Sequence, residues 1–491
     1  MDTDVKIKLE DPSLLRQQCY VNGEWVDAAS GGTIEVNNPA TGEVIASVPS
    51  LGAGEIRGAI EAADAAWGGW RKLTGKQRCN LLRTWYDLMM ANQEDLARLM
   101  TMEQGKPLAE SRGEIAYAAS FIEWFGEEAK RIYGDVIDHP LPGKRIVVLK
   151  QPIGVVASIT PWNFPAAMIT RKCAPALAVG CPVVIKPASQ TPLSALALAE
   201  LADRAGIPKG VVNVVTGKAS EVGGEMTSNP TVRKLSFTGS TEIGKVLMEQ
   251  CARTVKKVSM ELGGNAPFLV FDDADVDAAV AGAMASKYRN AGQTCVCANR
   301  ILVQDRVYDE FADKLAKSAA AMKVGNGLDD GVQQGPLIDQ AAVAKVEEHI
   351  ADARAQGGEV ITGGDRHDLG QTFFQPTVVT GVTTQMKVAR EETFGPVAPL
   401  FRFHDEDEAI ALANDTEFGL ASYFYARDLG RVWRVAEGLE SGIVGINEGI
   451  ISNEVAPFGG IKESGIGREG SKYGSDDFIE IKYLCIGGVE G

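Results

Sequence analysis

The spacing of apolar residues changes along the chain from a helical period to a strand period. In the first third, apolar positions recur every three or four residues, which predicts helices over 55–67, 76–102 and about 111–131. They follow short extended segments over 20–50, which Gly, Asn and Pro turns join. We therefore expect a small β region and then a helical region.

From residue 145 onward, short apolar runs alternate with helical patterns. Strands are predicted at 145–151, 154–159, 182–186, 211–215, 234–237 and 255–260, and helices at 166–178, 193–205 and 241–252. A second region has predicted helices at about 274–288, 307–322 and 341–355, and strands at 300–303, 376–380, 396–402, 419–425 and 442–446. Apolar strands that alternate with helices indicate parallel sheets covered on both faces, so the predicted fold class is α/β.

The carboxyl-terminal segment 478–485 alternates apolar and polar residues like an exposed strand. A strand at the end of a chain has unpaired edges that can accept another strand. We predict that this strand pairs with another subunit, and pairing onto its own chain is the alternative.

Composition restricts the class of protein. The chain has 491 residues, a formal net charge of −16 and eight cysteines. The negative charge argues against nucleic-acid and anionic-membrane partners. The cysteines are scattered, and the chain has neither a signal-like start nor a long apolar run, which together predict a cytoplasmic protein. Its length predicts two or three domains. None of the four histidines has metal-ligand spacing, so no metal site is predicted.

One cysteine stands out by its surroundings. Cys295 follows Gly292, Gln293 and Thr294, and a second thiol lies at Cys297. A free cysteine is mostly protonated at neutral pH, so a nucleophilic role requires a lowered pKa or a nearby base. A single cysteine is more often a small buried packing residue. The sequence elsewhere must decide between these interpretations.

Two predicted strand ends are candidate nucleotide sites, because ligands of open parallel sheets lie at the carboxyl ends of strands. In the stretch 237–244, Gly239 allows a tight turn, and Ser240 can cap the next helix so that its amides face a phosphate. Lys245 makes the stretch resemble a P-loop, but Val246 lacks the hydroxyl that would hold magnesium. A P-loop NTPase is therefore the alternative from another class, and an ordinary strand–turn–helix junction is the structural alternative.

The second strand end is Lys186-Pro187-Ala188-Ser189. A sheet that binds NAD commonly has an acidic residue here to hold the ribose 2′-hydroxyl. An ammonium and a hydroxyl group can instead bind a 2′-phosphate, which favours NADP, with NAD still a possible cofactor. A solvated Lys-Pro turn is the alternative.

Five short motifs, in order over nearly the whole chain, resemble the aldehyde dehydrogenase superfamily. They are Thr160-Pro-Trp-Asn-Phe-Pro165, Glu261-Leu-Gly-Gly-Asn265, Gly292-Gln-Thr-Cys295, Glu391-Glu-Thr-Phe-Gly-Pro396 and Pro457-Phe-Gly-Gly460. The resemblance implies that Cys295 is the nucleophile, that Asn163 is a donor of the oxyanion hole and that Glu261 is the general base. It also implies these cofactor contacts: Trp162, Asn163, Lys186, Pro187, Ala188, Ser189, Gly239, Ser240, Leu262, Glu392 and Phe394.

A closer resemblance concerns the substrate. Arg171, Arg289 and Ser452, with the Cys295-Val-Cys297 stretch, resemble the succinate-semialdehyde dehydrogenases of that superfamily. Two guanidinium groups and a hydroxyl can bind a carboxylate. The resemblance implies oxidation of succinate semialdehyde with NADP, and glutarate semialdehyde or another small carboxylated aldehyde is the alternative. Cys297 is the expected partner of Cys295 in a redox disulfide. The alternative is that Cys297 is a packing residue.

The resemblance also implies a domain division. A Rossmann-like cofactor domain is expected over 1–131 and 152–262, and an α/β catalytic domain over 263–477. A small β oligomerisation element is expected over 132–151 and 478–491, in a homodimer or homotetramer. A non-catalytic relative with the same fold is the remaining alternative, and the joint presence of Cys295, Glu261 and Asn163 argues against it.

Overall fold

The structure, a computed structural model, describes residues 7–489. Its α-helices are α1 Ala53–Trp70, α2 Gly75–Ala91, α3 Gln93–Gln104, α4 Leu108–Glu128, α5 Ala167–Val179, α6 Pro192–Arg204, α7 Ala219–Ser228, α8 Thr241–Ala252, α9 Val276–Lys287, α10 Asp305–Ala320, α11 Gln340–Ala355, α12 Lys387–Arg390, α13 Glu406–Asn414 and α14 Leu429–Gly438. Short 3-10 helices span Pro12–Leu14, Arg289–Gly292 and Lys472–Phe478.

The strands are β1 Cys19–Val21, β2 Glu24–Val26, β3 Thr33–Asn37, β4 Val44–Pro49, β5 Asp135–Asp138, β6 Lys144–Pro152, β7 Val155–Ile159, β8 Val183–Lys186, β9 Val212–Val214, β10 Val232–Thr238, β11 Lys257–Glu261, β12 Ala266–Val270, β13 Ala298–Gln304, β14 Glu359–Thr362, β15 Thr377–Thr380, β16 Val397–Phe403, β17 Phe418–Gly419, β18 Ala421–Tyr425, β19 Ile443–Ile446, β20 Ile461–Lys462, β21 Gly465–Ile466 and β22 Ile479–Gly487.

Two large sheets organise these elements. The first has eight strands in the order β2-β1-β9-β8-β7-β10-β11-β21, and β9 to β11 in that order run parallel. Along β7, Val156 packs into one hydrophobic cluster, whereas Val155 and Ala157 pack into another. Both faces of the sheet are therefore covered, which confirms the predicted α/β class.

The strand order of the first sheet reverses at β7. The chain moves outward from β7 to β8 and β9 on one side, and then returns to place β10 and β11 on the other side. A crevice opens at such a reversal, outside the carboxyl ends of the strands on either side of it. The residues just after β7, β10 and β11 therefore share one edge.

The second sheet has seven strands in the order β14-β15-β16-β13-β12-β18-β19, with only β14 antiparallel. It is also covered on both faces by hydrophobic clusters. Since β13 and β16 are neighbours, the loops that precede them are adjacent, and these loops carry Cys295 and Glu392.

A third sheet, β22-β6-β5, contains the terminal strand. β22 pairs antiparallel with β6 of its own chain from Ile479 opposite Pro152 to Gly487 opposite Lys144. β22 was predicted to pair with another subunit. That prediction was wrong for the edge of β22 that faces β6, because β6 is long enough to pair with the whole of β22. β22 is still an edge strand, so pairing of its other edge stays a prediction.

Several element boundaries differ from expectation. The helix predicted over 76–102 is two helices, because the chain breaks at Asn92, whose side chain bonds to Leu88 O. The strand predicted from Val255 begins at Lys257, because Val255 has a left-handed conformation with φ of 52°. The elements that sequence patterns missed include α7, α12, α13, α14, β5, β12 and β14.

The three sheets draw their strands from different parts of the chain. The first uses β1, β2, β7 to β11 and the short β21, the second uses β12 to β16, β18 and β19, and the third joins β5, β6 and β22. The domain division itself stays a prediction, and its ends at 1–6 and 490–491 lie outside the described residues. Every helix of residues 7–489 is too short or too polar to cross a lipid bilayer.

Candidate active site

Cys295 lies on a tight loop between α9 and β13. Asn290 and Ala291 have left-handed conformations with φ of 51° and 56°, and Gly292 follows with φ of 75°. A Cβ atom on Gly292 would lie 2.1 Å from the carbonyl oxygen of Gly395, so only glycine fits there. This backbone turns the chain sharply before the half-buried Cys295.

Two cavities of about 270 Å³ each meet at Cys295, which lines both. The first, which we call the distal cavity, lies between α4, α5 and the loops that carry Arg289 and Ser452. The second, which we call the cleft, lies at the carboxyl ends of β7, β10 and β11. The sulfur therefore stands where a molecule in one cavity meets a molecule in the other.

Asn163 lies beside the cysteine loop and is almost completely buried. Its Nδ2 donates to Gln293 O at 3.1 Å, and its backbone carbonyl accepts from Lys106 Nζ at 2.6 Å and Asn290 Nδ2 at 3.1 Å. One hydrogen of the Asn163 amide remains for another acceptor, since an NH₂ group can donate twice. This placement suits a donor of an oxyanion hole.

Sequence reasoning missed the ion pair that supports Asn163. Lys106 Nζ lies 2.5 Å from Glu114 Oε2, and both side chains are buried. The other oxygen of Glu114 accepts from the amides of Ala166 and Ala167 at 3.0 and 3.2 Å, at the start of α5. The two residues are only eight positions apart, but their burial and their contact with the Asn163 segment depend on the packing of α4 against α5, so the sequence gives no direct signal of them.

Glu261 ends β11 and is buried, and its Oε2 has no hydrogen-bond partner within residues 7–489. Burial raises the pKa of Glu261, and the carboxylate of Glu469 raises it further. Burial also raises the pKa of the Cys295 thiol to about 12, against an opposing effect of Arg171. The thiol is therefore protonated at neutral pH and needs a base, and Glu261 interacts electrostatically with it.

Glu469 is the second buried carboxylate of this centre, and sequence reasoning also missed it. It pairs with Lys172, and its Oε2 lies 2.7 Å from Arg171 Nε. Although burial opposes ionisation, these two cations hold the pKa of Glu469 below its usual value. The signal was present in α5, where Arg171 and Lys172 interrupt an otherwise apolar helix.

The cleft contains most of the predicted cofactor contacts. Its lining includes the predicted residues Trp162, Asn163, Gly239, Ser240, Leu262, Glu392 and Phe394, together with Thr238 and Lys345, which were not predicted. The Trp162 and Phe394 rings meet edge to face at 5.6 Å. Burial raises the pKa of Glu392 to about 7.

The turn after β10 leads directly into helix α8. The Ser240 hydroxyl accepts from Ile243 N at 3.4 Å and so caps α8, as predicted. Lys245 instead pairs with Glu463 at 2.6 Å on the surface. A P-loop lysine would reach back to phosphates, so this pairing removes the main support for the NTPase alternative.

The stretch Lys186–Ser189 begins with the last residue of β8, at the same sheet edge, but is outside the lining of both cavities. Lys186 is buried, its Nζ donates to Pro187 O at 3.0 Å, and burial lowers its pKa to about 8. Ser189 is partly exposed. A role for these residues, and for Ala188, in cofactor binding stays a prediction.

The distal cavity brings together the three predicted substrate residues Arg171, Arg289 and Ser452. Arg171 stacks on Phe458 with its guanidinium carbon 3.9 Å from the ring centre, and Arg289 lies over Phe164 at 5.3 Å. Arg289 forms no salt bridge within the described chain, although the Glu110 carboxyl of the same cavity is close enough to interact with it electrostatically.

Cys297 points away from the meeting point of the cavities. Its buried thiol donates to the backbone carbonyls of Lys287 and Ala298 at 3.4 and 3.5 Å, and it lines neither cavity. Both Cys295 and Cys297 are free thiols. A redox disulfide between them stays a prediction.

The cysteine lies between a sheet-edge cleft and a cationic cavity, and an amide donor and a buried carboxylate lie nearby. This is the arrangement of a cysteine-dependent dehydrogenase. Comparison with models of protein families agrees, because the model of the aldehyde dehydrogenase family matches residues 25–484. The chain belongs to the aldehyde dehydrogenase family, which confirms the predicted resemblance.

Two curated relatives match nearly the whole chain. A glutarate-semialdehyde dehydrogenase of Pseudomonas aeruginosa is 70% identical over 98% of this chain and 100% of its own length. The NADP+-dependent succinate-semialdehyde dehydrogenase of Escherichia coli is 68% identical over the same shares. The crystal structure of an NADP-dependent enzyme of E. coli superposes with a TM-score of 0.97 and 68% identity, covering 98% of this chain and 100% of that one.

Proposed function

We propose that this chain oxidises succinate semialdehyde to succinate with NADP+ as the hydride acceptor. The observation that carries the proposal is the position of Cys295, which lines both the cleft and the arginine-containing distal cavity. An aldehyde held by its carboxylate in the distal cavity presents its carbonyl carbon to that sulfur. The E. coli relative of that name supports the choice of substrate and cofactor.

The residues of the cleft fit a dinucleotide. The Thr238 hydroxyl lines the cleft and is buried without a hydrogen-bond partner among residues 7–489, so it suits a polar ligand. Glu392 and Lys345 can hold a ribose, and Trp162 and Phe394 can flank a ring. Lys186 and Ser189 lie outside the cleft lining at the same sheet edge, and their ammonium and hydroxyl groups suit a 2′-phosphate, which favours NADP+ over NAD+. When bound, the cofactor supplies a hydride acceptor.

The chain's own residues start the reaction at sulfur. Glu261 takes the thiol proton, and the bond between Cys295 Sγ and the aldehyde carbon forms as the carbonyl π electrons move to oxygen. The Asn163 amide and the Cys295 backbone N–H stabilise the resulting oxyanion. Each such donor typically contributes a factor of about 10²–10³ in rate.

Loss of hydride from the carbon leaves a thioester on Cys295. After Glu261 has passed the thiol proton to solvent, it deprotonates a water molecule, which adds to the thioester carbon. The carbon–sulfur bond then breaks, and the proton of the new carboxyl group passes to the thiolate, which releases succinate and restores the thiol. The buried position of Glu261 suits this role, because a raised pKa makes a carboxylate a better base near neutral pH.

Glutarate semialdehyde is the second candidate substrate, and the P. aeruginosa relative favours it. One methylene in an apolar stem typically changes discrimination by about 10–200-fold. The same carboxylate contacts serve both molecules, so the length of the distal cavity decides between them.

A homodimer or homotetramer is part of this proposal. The sheet of β5, β6 and β22 exposes apolar side chains, including Val136, Ile481 and Tyr483, which are 76%, 72% and 58% exposed. Edge strands with such side chains tend to pair. A concentration-independent dimer or tetramer mass by light scattering is expected, and a monomer would contradict it.

The test is a screen of succinate semialdehyde, glutarate semialdehyde and butanal against NADP+ and NAD+, read as absorbance of the reduced cofactor. Succinate semialdehyde with NADP+ should give the highest kcat/KM. The Cys295→Ala variant should be inactive with every aldehyde and should still bind NADP+ in a calorimetric titration. If butanal is the best substrate, the proposal is wrong.

A further inference from the structure

Three buried polar groups of the distal cavity have no protein partner in the described part of the chain. They are the Tyr117 hydroxyl, Nη2 of Arg171 and the Thr294 hydroxyl. Buried polar atoms in folded proteins nearly always have a hydrogen-bond partner. Three such atoms around one cavity therefore indicate the chemistry of the ligand that completes them.

Most of the carboxylate oxygens of the same cavity are already engaged. Glu114 is held by Lys106 and by two backbone amides, and Glu110 accepts from the amide of Asn290 at 2.9 Å. A guanidinium group can only donate, and both hydroxyls can donate. The unused hydrogen-bonding capacity is therefore mainly that of donors, which matches the oxygens of a carboxylate.

Tyr117 is fixed in position by α4. It lies three residues after Glu114 on the helix face that lines the cavity, and its ring meets Phe121 edge to face at 5.0 Å. The guanidinium carbon of Arg171 lies 5.9 Å from the same Phe121 ring. Burial raises the pKa of Tyr117, so its hydroxyl keeps its proton. The positive charges of Arg171 and Arg289 are close enough to the hydroxyl to oppose part of this rise in pKa.

We propose that Tyr117 is a substrate-binding residue that donates a hydrogen bond to the distal carboxylate of the aldehyde, beside Arg171 and Arg289. It therefore contributes to selection of carboxylated over uncharged aldehydes. This inference rests on the proposed function. Tyr117 was not a candidate in the sequence, because a tyrosine on an amphipathic helix is usually a packing residue.

The test is Tyr117→Phe, which removes one oxygen and keeps the ring that packs on Phe121. A hydrogen bond to a charged group corresponds to roughly a 10- to 100-fold change in affinity. We expect KM for succinate semialdehyde to rise by about that factor with kcat nearly unchanged, and KM for butanal to stay the same or fall. The dissociation constant for succinate, measured by calorimetry, should rise similarly.

Tyr86→Phe is the matched control, because Tyr86 packs beside Arg83 and lines neither cavity. It should leave all constants unchanged. Equal changes for semialdehyde and butanal in Tyr117→Phe, or no change in succinate affinity, would overturn the role of Tyr117 alone. A wild-type enzyme that prefers butanal would instead overturn the proposed function.

Discussion

The distal cavity and the cleft have the same volume but are built differently. The distal cavity is walled by side chains of α4 and α5, and buried ion pairs such as Lys106–Glu114 and Arg171–Glu469 fix those helices. The cleft is formed mainly by turns at strand ends, where Gly239, Ser240 and Gly263 present backbone. Aldehyde selection should therefore depend on single side chains more strongly than cofactor binding does.

The largest effect is expected at Glu261, which lies outside the lining of both cavities and interacts electrostatically with Cys295. Glu261→Gln removes the base and should lower kcat by about 10²–10⁴. Because the pKa of Glu261 is raised, the wild-type rate should fall with decreasing pH as this carboxylate becomes protonated, well above the usual range for glutamate. The measurement is a pH profile of kcat/KM for both enzymes. An unchanged acidic limb in Glu261→Gln would assign that limb to another group.

Arg289→Leu tests the distal cavity. The substitution removes a charge that pairs with no carboxylate among the described residues, so the fold should tolerate it. KM for succinate semialdehyde should rise about 10- to 100-fold, as expected for loss of a charged hydrogen bond, and KM for butanal should hardly change. Steady-state kinetics with both aldehydes provide the check. An equal rise for butanal would mean that Arg289 shapes the cavity and does not bind a carboxylate.

Ser189→Glu tests the predicted role of the Lys186–Ser189 turn in cofactor choice. A carboxylate there would repel a 2′-phosphate, so kcat/KM with NADP+ should fall about 10-fold or more. The value with NAD+ should be retained or rise. Comparing both cofactors at saturating aldehyde gives the result, and Ser189→Ala is the control for loss of the hydroxyl alone. A parallel fall with both cofactors would remove Ser189 from phosphate recognition.

The smallest effect is expected at Glu392 in the cleft. Its Oε1 accepts from Gly264 N at 3.4 Å, and Glu392→Gln keeps an acceptor at that place. KM for NADP+ should rise only about 2- to 10-fold, and KM for the aldehyde should stay constant. A larger effect here than in Arg289→Leu would reverse the contrast between the two cavities.

The sequence predicted the parts of this centre that lie in short motifs. Cys295, Asn163 and Glu261 come together because each follows or precedes a strand whose apolar pattern was visible. The structure added Glu469 and Lys106, whose roles depend on partners in other elements, and Glu469 lies 297 residues from Lys172. No local pattern encodes such pairs, since they arise when separate helices and loops pack.

Individual strands were missed or wrongly paired for similar reasons, although the α/β class was predicted correctly. The β12 strand Ala266–Val270 was left unassigned between the strand predicted at 255–260 and the helix predicted from about 274, because its short apolar run directly follows the Glu261-Leu-Gly-Gly-Asn265 motif. The terminal strand looked unpaired because its partner β6 lies more than 300 residues earlier in the chain. Local periodicity located most elements, but it could not determine which distant segments meet.

The close approach of Gly292 to Gly395 has a practical consequence for anyone who redesigns this protein. The segment that carries the nucleophile and the segment that carries Glu392 and Phe394 rest directly on each other, with no side chain between them to absorb a shift. Changing the 391–396 segment to alter cofactor choice would therefore also displace the reactive sulfur. Cofactor engineering would be better directed to the Lys186–Ser189 turn, which lies outside that contact.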